Sequence, residues 1–155
     1  WTVISVIIVI IKIVKTGSHF KGKASFARGV QLIVGEKGEL CFGKDFRCNS
    51  NCIINCNEQV LFGEDCLLAW GITCLDSDGH DIIDSVKHCV INKPKRIIVN
   101  NHVWICPGVS LLKGAEVGEN CIVATNSVIT QSFIELSNCL IGSNKVLKEN
   151  IEWKD

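Results

Sequence analysis

An aliphatic residue recurs every six positions at Val99, Ile105, Leu111, Val117, Val123 and Ile129. Four residues after each stands a second inward candidate: Val103, Val109, Ala115, Cys121, Ser127 and Phe133. A helix repeats about every 3.6 residues and a strand about every 2, and neither sustains a period of six. Short strands joined by sharp corners do, because each strand adds one apolar side chain to a continuous interior. That is the signature of a parallel β-helix solenoid.

The same register runs upstream. Phe42, Cys48 and Ile54 lie six apart, with Phe46 and Cys52 in the second slot. Phe62, Leu68 and Cys74 resume the count after a slip of two residues, with Cys66 and Ile72 in the second slot. The slip predicts a widened corner over 55–59, a polar and turn-prone stretch. Gly35, Gly43, Gly63, Gly114 and Gly118 fall where corners are required, many with Asn or Asp beside them. Such residues tolerate the left-handed backbone that sharp corners use. The reading is one all-β domain over 1–155. It has irregular strands and coils in 1–37, regular coils in 38–74 and 98–134, a loop ejected over 75–97, and a short tail over 135–155.

Between Cys74 and Ile97 the rhythm stops, and the chain reads Leu75-Asp76-Ser77-Asp78-Gly79-His80-Asp81 before a polar run to Lys93-Pro94-Lys95-Arg96. A solenoid ejects a loop from a corner without disturbing its stack, and loops on a rigid scaffold often carry function. His80 is the candidate general base there, since a neutral imidazole suits proton removal near pH 7. Asp76, Asp78, Asp81 and Asp84 stand near enough in sequence to orient its ring. A solvated loop histidine in an acidic turn would look the same. His19 falls in a Lys- and Gly-rich turn, His88 in the ejected loop with nothing to fix it, and His102 at a coil corner where it would bond backbone. By register Trp104 and Trp70 point outward, and an exposed Trp on a solenoid face calls for a ligand or another subunit.

Sixteen Lys and Arg balance sixteen Asp and Glu, so no net field steers the chain to nucleic acid or an anionic membrane. Val3 to Ile11 is almost wholly apolar and the run continues to Val14, short of the roughly 20 residues a membrane span needs. No positive charge precedes it, and its dense β-branching predicts an opening strand without stable membrane insertion. Of ten cysteines, Cys48, Cys52, Cys66, Cys74 and Cys121 fall on inward positions, where the residue is a small apolar filler. The spacing of Cys48, Cys52 and Cys56 follows the coil and no CxxC pair occurs, so neither disulfides nor a metal are expected. Many free thiols point to a reducing, cytoplasmic compartment.

The segment "VNNHVWICPGVSLLKGAEVGENCIVATNSVIT" resembles the hexapeptide-repeat acyltransferases, left-handed parallel β-helix enzymes that move an acetyl group from acetyl-coenzyme A to a hydroxyl or amine. "GEDCLLAWGITCLDSDGHDI" and "NCLIGSNKVLKENIEW" resemble their sugar and polysaccharide O-acetyltransferase branch, near the maltose, galactoside and serine acetyltransferases. The resemblance spans roughly Gly38 to Trp153. It implies a homotrimer with His80 as general base, Asp76 and Asp78 beside it, and Trp104 bordering the site at a subunit boundary. It puts Trp70 and Asp78 on the acceptor side and coenzyme A at the corner Ala124-Thr125-Asn126-Ser127, with Lys145 and Lys148 near its phosphates. The family commonly has Gly-Ala-Gly-Ser at that corner, a Gly at Cys106, a Lys at Gln131, and a longer, proline-containing tail at Gly142-Ser143-Asn144-Lys145.

The implied reaction is direct attack of a saccharide hydroxyl on the thioester of acetyl-coenzyme A, without an acetyl-enzyme intermediate. Two other readings stay open. One is a non-catalytic scaffold or binding module that kept the prism and lost the cofactor corner. The other is a metal enzyme of the γ-carbonic anhydrase type, which needs three histidines converging at a subunit boundary.

Overall fold

The computed structural model describes residues 10–13 and 18–154, and its regular elements are strands. Three sheets form the faces of a left-handed prism. The first face carries Ile10–Ile13, Gln31–Val34, Ile53–Cys56, Thr73–Leu75, Ser110–Leu112 and Val128–Ile129. The second carries Ser18–Phe20, Glu39–Phe42, Gln59–Phe62, Ile97–Val99, Glu116–Val117 and Ser132–Phe133. The third carries Ala24–Phe26, Phe46–Cys48, Leu67–Leu68, Trp104–Ile105, Ile122–Val123 and Leu140–Gly142. Lys145–Lys148 folds back antiparallel onto that last strand. The chain visits the faces in turn, so each coil adds one parallel strand to each sheet.

The period-six residues are the interior. Val99, Ile105, Leu111, Val117, Val123 and Ile129 are buried, as are Val103, Val109, Ala115, Cys121 and Ser127, while Phe133 is partly buried against the same core. All ten cysteines are free thiols, and only Cys89 is exposed.

Coil length sets what the core must hold. Gln31 pairs with Ile53, 22 residues on; Ile53 pairs with Thr73, 20 on; Ser110 pairs with Val128, 18 on. The longer coils enclose larger side chains: one column on the second face runs Phe20, Phe42, Phe62, Val99, Val117. Its phenylalanines stack with ring centroids 5.2 and 5.7 Å apart, each pair contributing about 0.5–1.5 kcal/mol beyond its buried area.

Two edges of the prism turn on left-handed residues. Asp45, Asp65, His102, Asn120 and Asn138 follow one another along the edge between the second and third faces, all with positive φ. Gly29, Asn51, Gly71, Gly108 and Asn126 do the same between the third and first faces. Gly108 has a second constraint, because a Cβ there would come within 2.2 Å of the Asn126 side-chain oxygen one coil on.

The stack begins earlier than the sequence period suggests. Ala24–Phe26 and Gln31–Val34, expected to be irregular, pair in register with Phe46–Cys48 and Ile53–Cys56, and Val30, Leu32 and Val34 are buried. A 22-residue coil hides a period of six from a reader counting sixes. Of the expected opening strand, Ile10–Ile13 pairs with Gln31–Val34, and 3–9 and 14 lie outside the described residues. The tail likewise gives the third face a strand and buries Ile141 and Trp153. Among the described residues no helix is long and apolar enough to cross a membrane.

Candidate active site

Thr73 pairs with Ser110, 37 residues on, whereas Ser110 pairs with Val128, 18 on. The surplus is an excursion that leaves the edge between the first and second faces. Its root is Asp76, fully buried, whose carboxylate accepts the backbone N–H groups of Asn57 at 2.8 Å, Glu58 at 2.7 Å and Gln59 at 2.9 Å. The Asp76 carbonyl accepts the N–H of Lys95 at 3.0 Å and so ties the two ends of the excursion together. The corner expected to be widened at 55–59 is therefore filled by a side chain from the following coil. This corrects the expectation for Asp76: its carboxylate is committed to that corner and does not bond the ring of His80.

Past the root, Asn92 gathers the excursion. Its amide nitrogen donates to Asp78 Oδ2 at 2.7 Å and to the His80 carbonyl at 2.8 Å, and its oxygen accepts the Ile82 N–H at 2.6 Å. Lys113 pairs with the Asp78 carboxylate from the next coil and also reaches the Asn92 carbonyl at 3.4 Å. Lys113 first and Asn92 second hold the Asp78 carboxyl below the usual aspartate value. Leu75 pairs with Leu112, so Asp76 and Lys113 occupy the same corner of successive coils. Farther out, the Asp84 carboxylate accepts the N–H groups of Lys87 at 2.7 Å and Val86 at 2.9 Å, which lowers its pKa as well.

His80 is exposed at the mouth of a cavity of about 220 Å³ bordered by Asn57, Ser77, Asp78, Asp81 and Asn92. Three of its four flanking carboxylates are committed elsewhere, and Asp81 has no hydrogen-bond partner among the described residues. Its own ring bonds no described residue, which leaves both ring nitrogens open to a molecule in the cavity.

The other expected site residues lie apart from His80 within one chain. Trp104 stands half-buried on the third face, its ring 6.1 Å from that of Trp153. Trp70, 59% exposed, sits on the edge between the third and first faces, where its carbonyl accepts the N–H of Gly108 at 3.0 Å. That is the edge of Ala124, Thr125 and Asn126, so Trp70 shares an edge with the expected cofactor corner and not with His80. Ser127 needs a correction: it is 4% exposed with its side chain in the inward column, so only Ala124, Thr125 and Asn126 face outward at that corner. Lys145 and Lys148 are exposed on the final antiparallel strand.

One cluster had no place in the sequence reading. His102 Nδ1 lies 2.7 Å from Asp65 Oδ2, its ring stacks on Trp153 at 4.2 Å, and Trp153 Nε1 donates to the His102 carbonyl at 3.0 Å. Arg47 bonds the other Asp65 oxygen at 3.1 Å. His102 thus holds a carboxylate and the tail, beyond the backbone contact expected of a corner histidine. Counting one coil would have found it, because Leu67 pairs with Trp104 and Asp65 therefore lies under His102. His80 and His88 stand on the excursion and His102 on another edge. Among the described residues no three His, Cys, Asp or Glu side chains group to hold a metal within one chain.

Residues 96–131 match the family model described as bacterial transferase hexapeptide (six repeats). No curated protein matches the chain by sequence. Among solved structures, the polysialic acid O-acetyltransferase OatWY is similar at 29% identity and a TM-score of 0.62, over 95% of this chain and 67% of that one. The polySia specific acetyltransferase NeuO is similar at 22% identity and a TM-score of 0.57, over 96% of this chain and 77% of that one. A hexapeptide-repeat acetyltransferase from Vibrio cholerae O1 biovar eltor, complexed with acetyl-coenzyme A, is similar at 19% identity and a TM-score of 0.61, over 90% of this chain and 72% of that one.

Proposed function

We propose, for a chain that by its repeats and its fold is a hexapeptide-repeat acyltransferase, that it transfers an acetyl group from acetyl-coenzyme A to a hydroxyl of a sugar or polysaccharide, with His80 as general base. The observation that carries this reading is His80 itself, an imidazole with no internal partner at the rim of a polar cavity, on an excursion rooted in a rigid corner by Asp76. A neutral imidazole takes the hydroxyl proton as the oxygen attacks the thioester carbonyl, and coenzyme A departs as the thiol once it receives that proton. Backbone N–H groups stabilise the oxyanion between these steps. Amide, hydroxyl and carboxylate groups around the cavity suit a ring bearing several hydroxyls. The acetyl-coenzyme A of the Vibrio protein and the polysialic acid substrates of OatWY and NeuO support the donor and the acceptor class.

Burial of nine of the ten thiols supports direct transfer. Burial pushes Cys56 and Cys66 up to about 12 and raises Cys74, Cys106 and Cys121 as well, so these five hold little thiolate to carry an acetyl group, and Cys52, lowered by its hydrogen bond with Cys48, is fully buried in the stack. The dispersal of His80, Trp104 and Thr125 over different parts of the prism favours a site completed between copies in a homotrimer. Ile82, Ile83, Val86 and Ile91 are exposed on the excursion, a run of apolar side chains suited to a neighbouring copy. The free thiols suit a reducing, cytoplasmic setting.

Calorimetric titration of the chain with acetyl-coenzyme A tests the donor. Saturable binding, weakened by Thr125→Trp at the outward corner, is the expected result. No binding at millimolar donor would favour the scaffold reading.

A further inference from the structure

We propose that Asn92 and Lys113 are the positioning residues of the His80 segment, an amide staple and a cationic strut that together fix where the imidazole stands over the cavity. The inference rests on the reading of His80 as general base. A primary amide offers two N–H donors and one carbonyl acceptor. Asn92 spends all three functions on residues 78–82: the Asp78 carboxylate, the His80 carbonyl and the Ile82 N–H. The Asp78 side chain before His80 and the backbone at and after it are thereby held by one side chain from the return limb of the excursion. Lys113 belongs to the next coil, at the corner directly over Asp76, and pairs with the same Asp78 carboxylate. The excursion is thus tied below by Asp76 to the coil before it and above by Lys113 to the coil after it. Gly79, with a φ of 75°, lies between Asp78 and His80 and would otherwise let the segment swing. A general base displaced by about 1 Å loses up to about a hundredfold in rate, so this staple bears on turnover more than on donor affinity.

The full chain is assayed for coenzyme A release with oligosialic acid and with maltose as acceptor probes. Asn92→Asp keeps the oxygen that accepts the Ile82 N–H but turns the two donors into an oxygen facing the Asp78 carboxylate and the His80 carbonyl. The expected result is a kcat about tenfold to a hundredfold lower at about pH 8, with the KM for acetyl-coenzyme A unchanged. The ratio of variant to parental kcat rises toward about pH 5, because a proton shared between the two carboxylates restores one donor. Lys113→Met lowers kcat to a similar extent and Lys113→Arg recovers most of it. Amide hydrogen exchange over 77–84 is faster in Asn92→Asp and Lys113→Met than in the parent, whatever the acceptor. A kcat ratio near one at every pH, or unchanged exchange in both variants, overturns the staple. If His80→Ala keeps the parental rate, the base reading fails and takes the staple's catalytic role with it. If His80→Ala is inactive while Asn92→Asp turns over like the parent, only the staple fails.

Discussion

The buried carboxylate of Asp76 accepts the backbone N–H of Glu58 at 2.7 Å, one coil earlier in the stack. The same carboxylate takes the N–H groups of Asn57 and Gln59, so a corner of one coil and the root of the excursion in the next are one hydrogen-bonded unit. Asp76→Ala leaves three backbone donors unpaired in a closed corner and is expected to cost on the order of 3 kcal/mol, since each orphaned buried donor costs about 1–3 kcal/mol and some regain water. Urea unfolding of the parent, Asp76→Ala and Asp76→Asn measures it. The asparagine variant, which keeps one acceptor oxygen, is expected between the other two.

A second carboxylate gives a pH signature. Glu116 accepts the Ser132 hydroxyl at 2.6 Å and the Arg96 Nε–H at 2.9 Å, and these bonds, Ser132 first, hold its carboxyl below the usual glutamate value. A group depressed in the folded state adds stability above its unfolded pKa of about 4.3 and loses it as pH falls through the folded value. The difference in unfolding midpoint between the parent and Glu116→Gln is therefore expected to be constant above about pH 5 and to shrink below about pH 4. A difference that grows on acidification would contradict the assignment.

Much of this was legible in the sequence, and what was not has physical reasons. The run from Val99 to Ile129 showed its coils because each is 18 residues, three strands of six, whereas Gln31 to Ile53 needs 22 and shows no sixes. His80 stands out as a candidate in the sequence because the rhythm breaks around it. Asp76 was misread because a buried carboxylate in an acidic run looks like its solvated neighbours, and only the register shows the three N–H groups beneath it. Lys113 and the Asp65–His102 pair follow once the 37-residue step from Thr73 to Ser110 is known. Asn92 left no local trace, since its three partners lie at least 10 residues away in the sequence.

Assembly is testable without an acceptor. Light scattering at about 10 μM is expected to give three times the mass of one chain. Replacing the exposed Ile83 and Ile91 with Ser should shift the population toward single copies, each side chain withdrawing about 1.5–3 kcal/mol of apolar burial if fully covered in the interface. A parental protein that scatters as a single chain would contradict the trimer.

Turnover of acetyl-coenzyme A with oligosialic acid or maltose, compared between the parent and His80→Ala, decides whether His80 takes the acceptor's proton during acetyl transfer. The expected result is saccharide-dependent coenzyme A release by the parent and a kcat lower by about two to four orders of magnitude in the variant, with an unchanged unfolding midpoint because the excursion lies outside the stack. Parental turnover by His80→Ala, or no saccharide-dependent release by the parent, would contradict it.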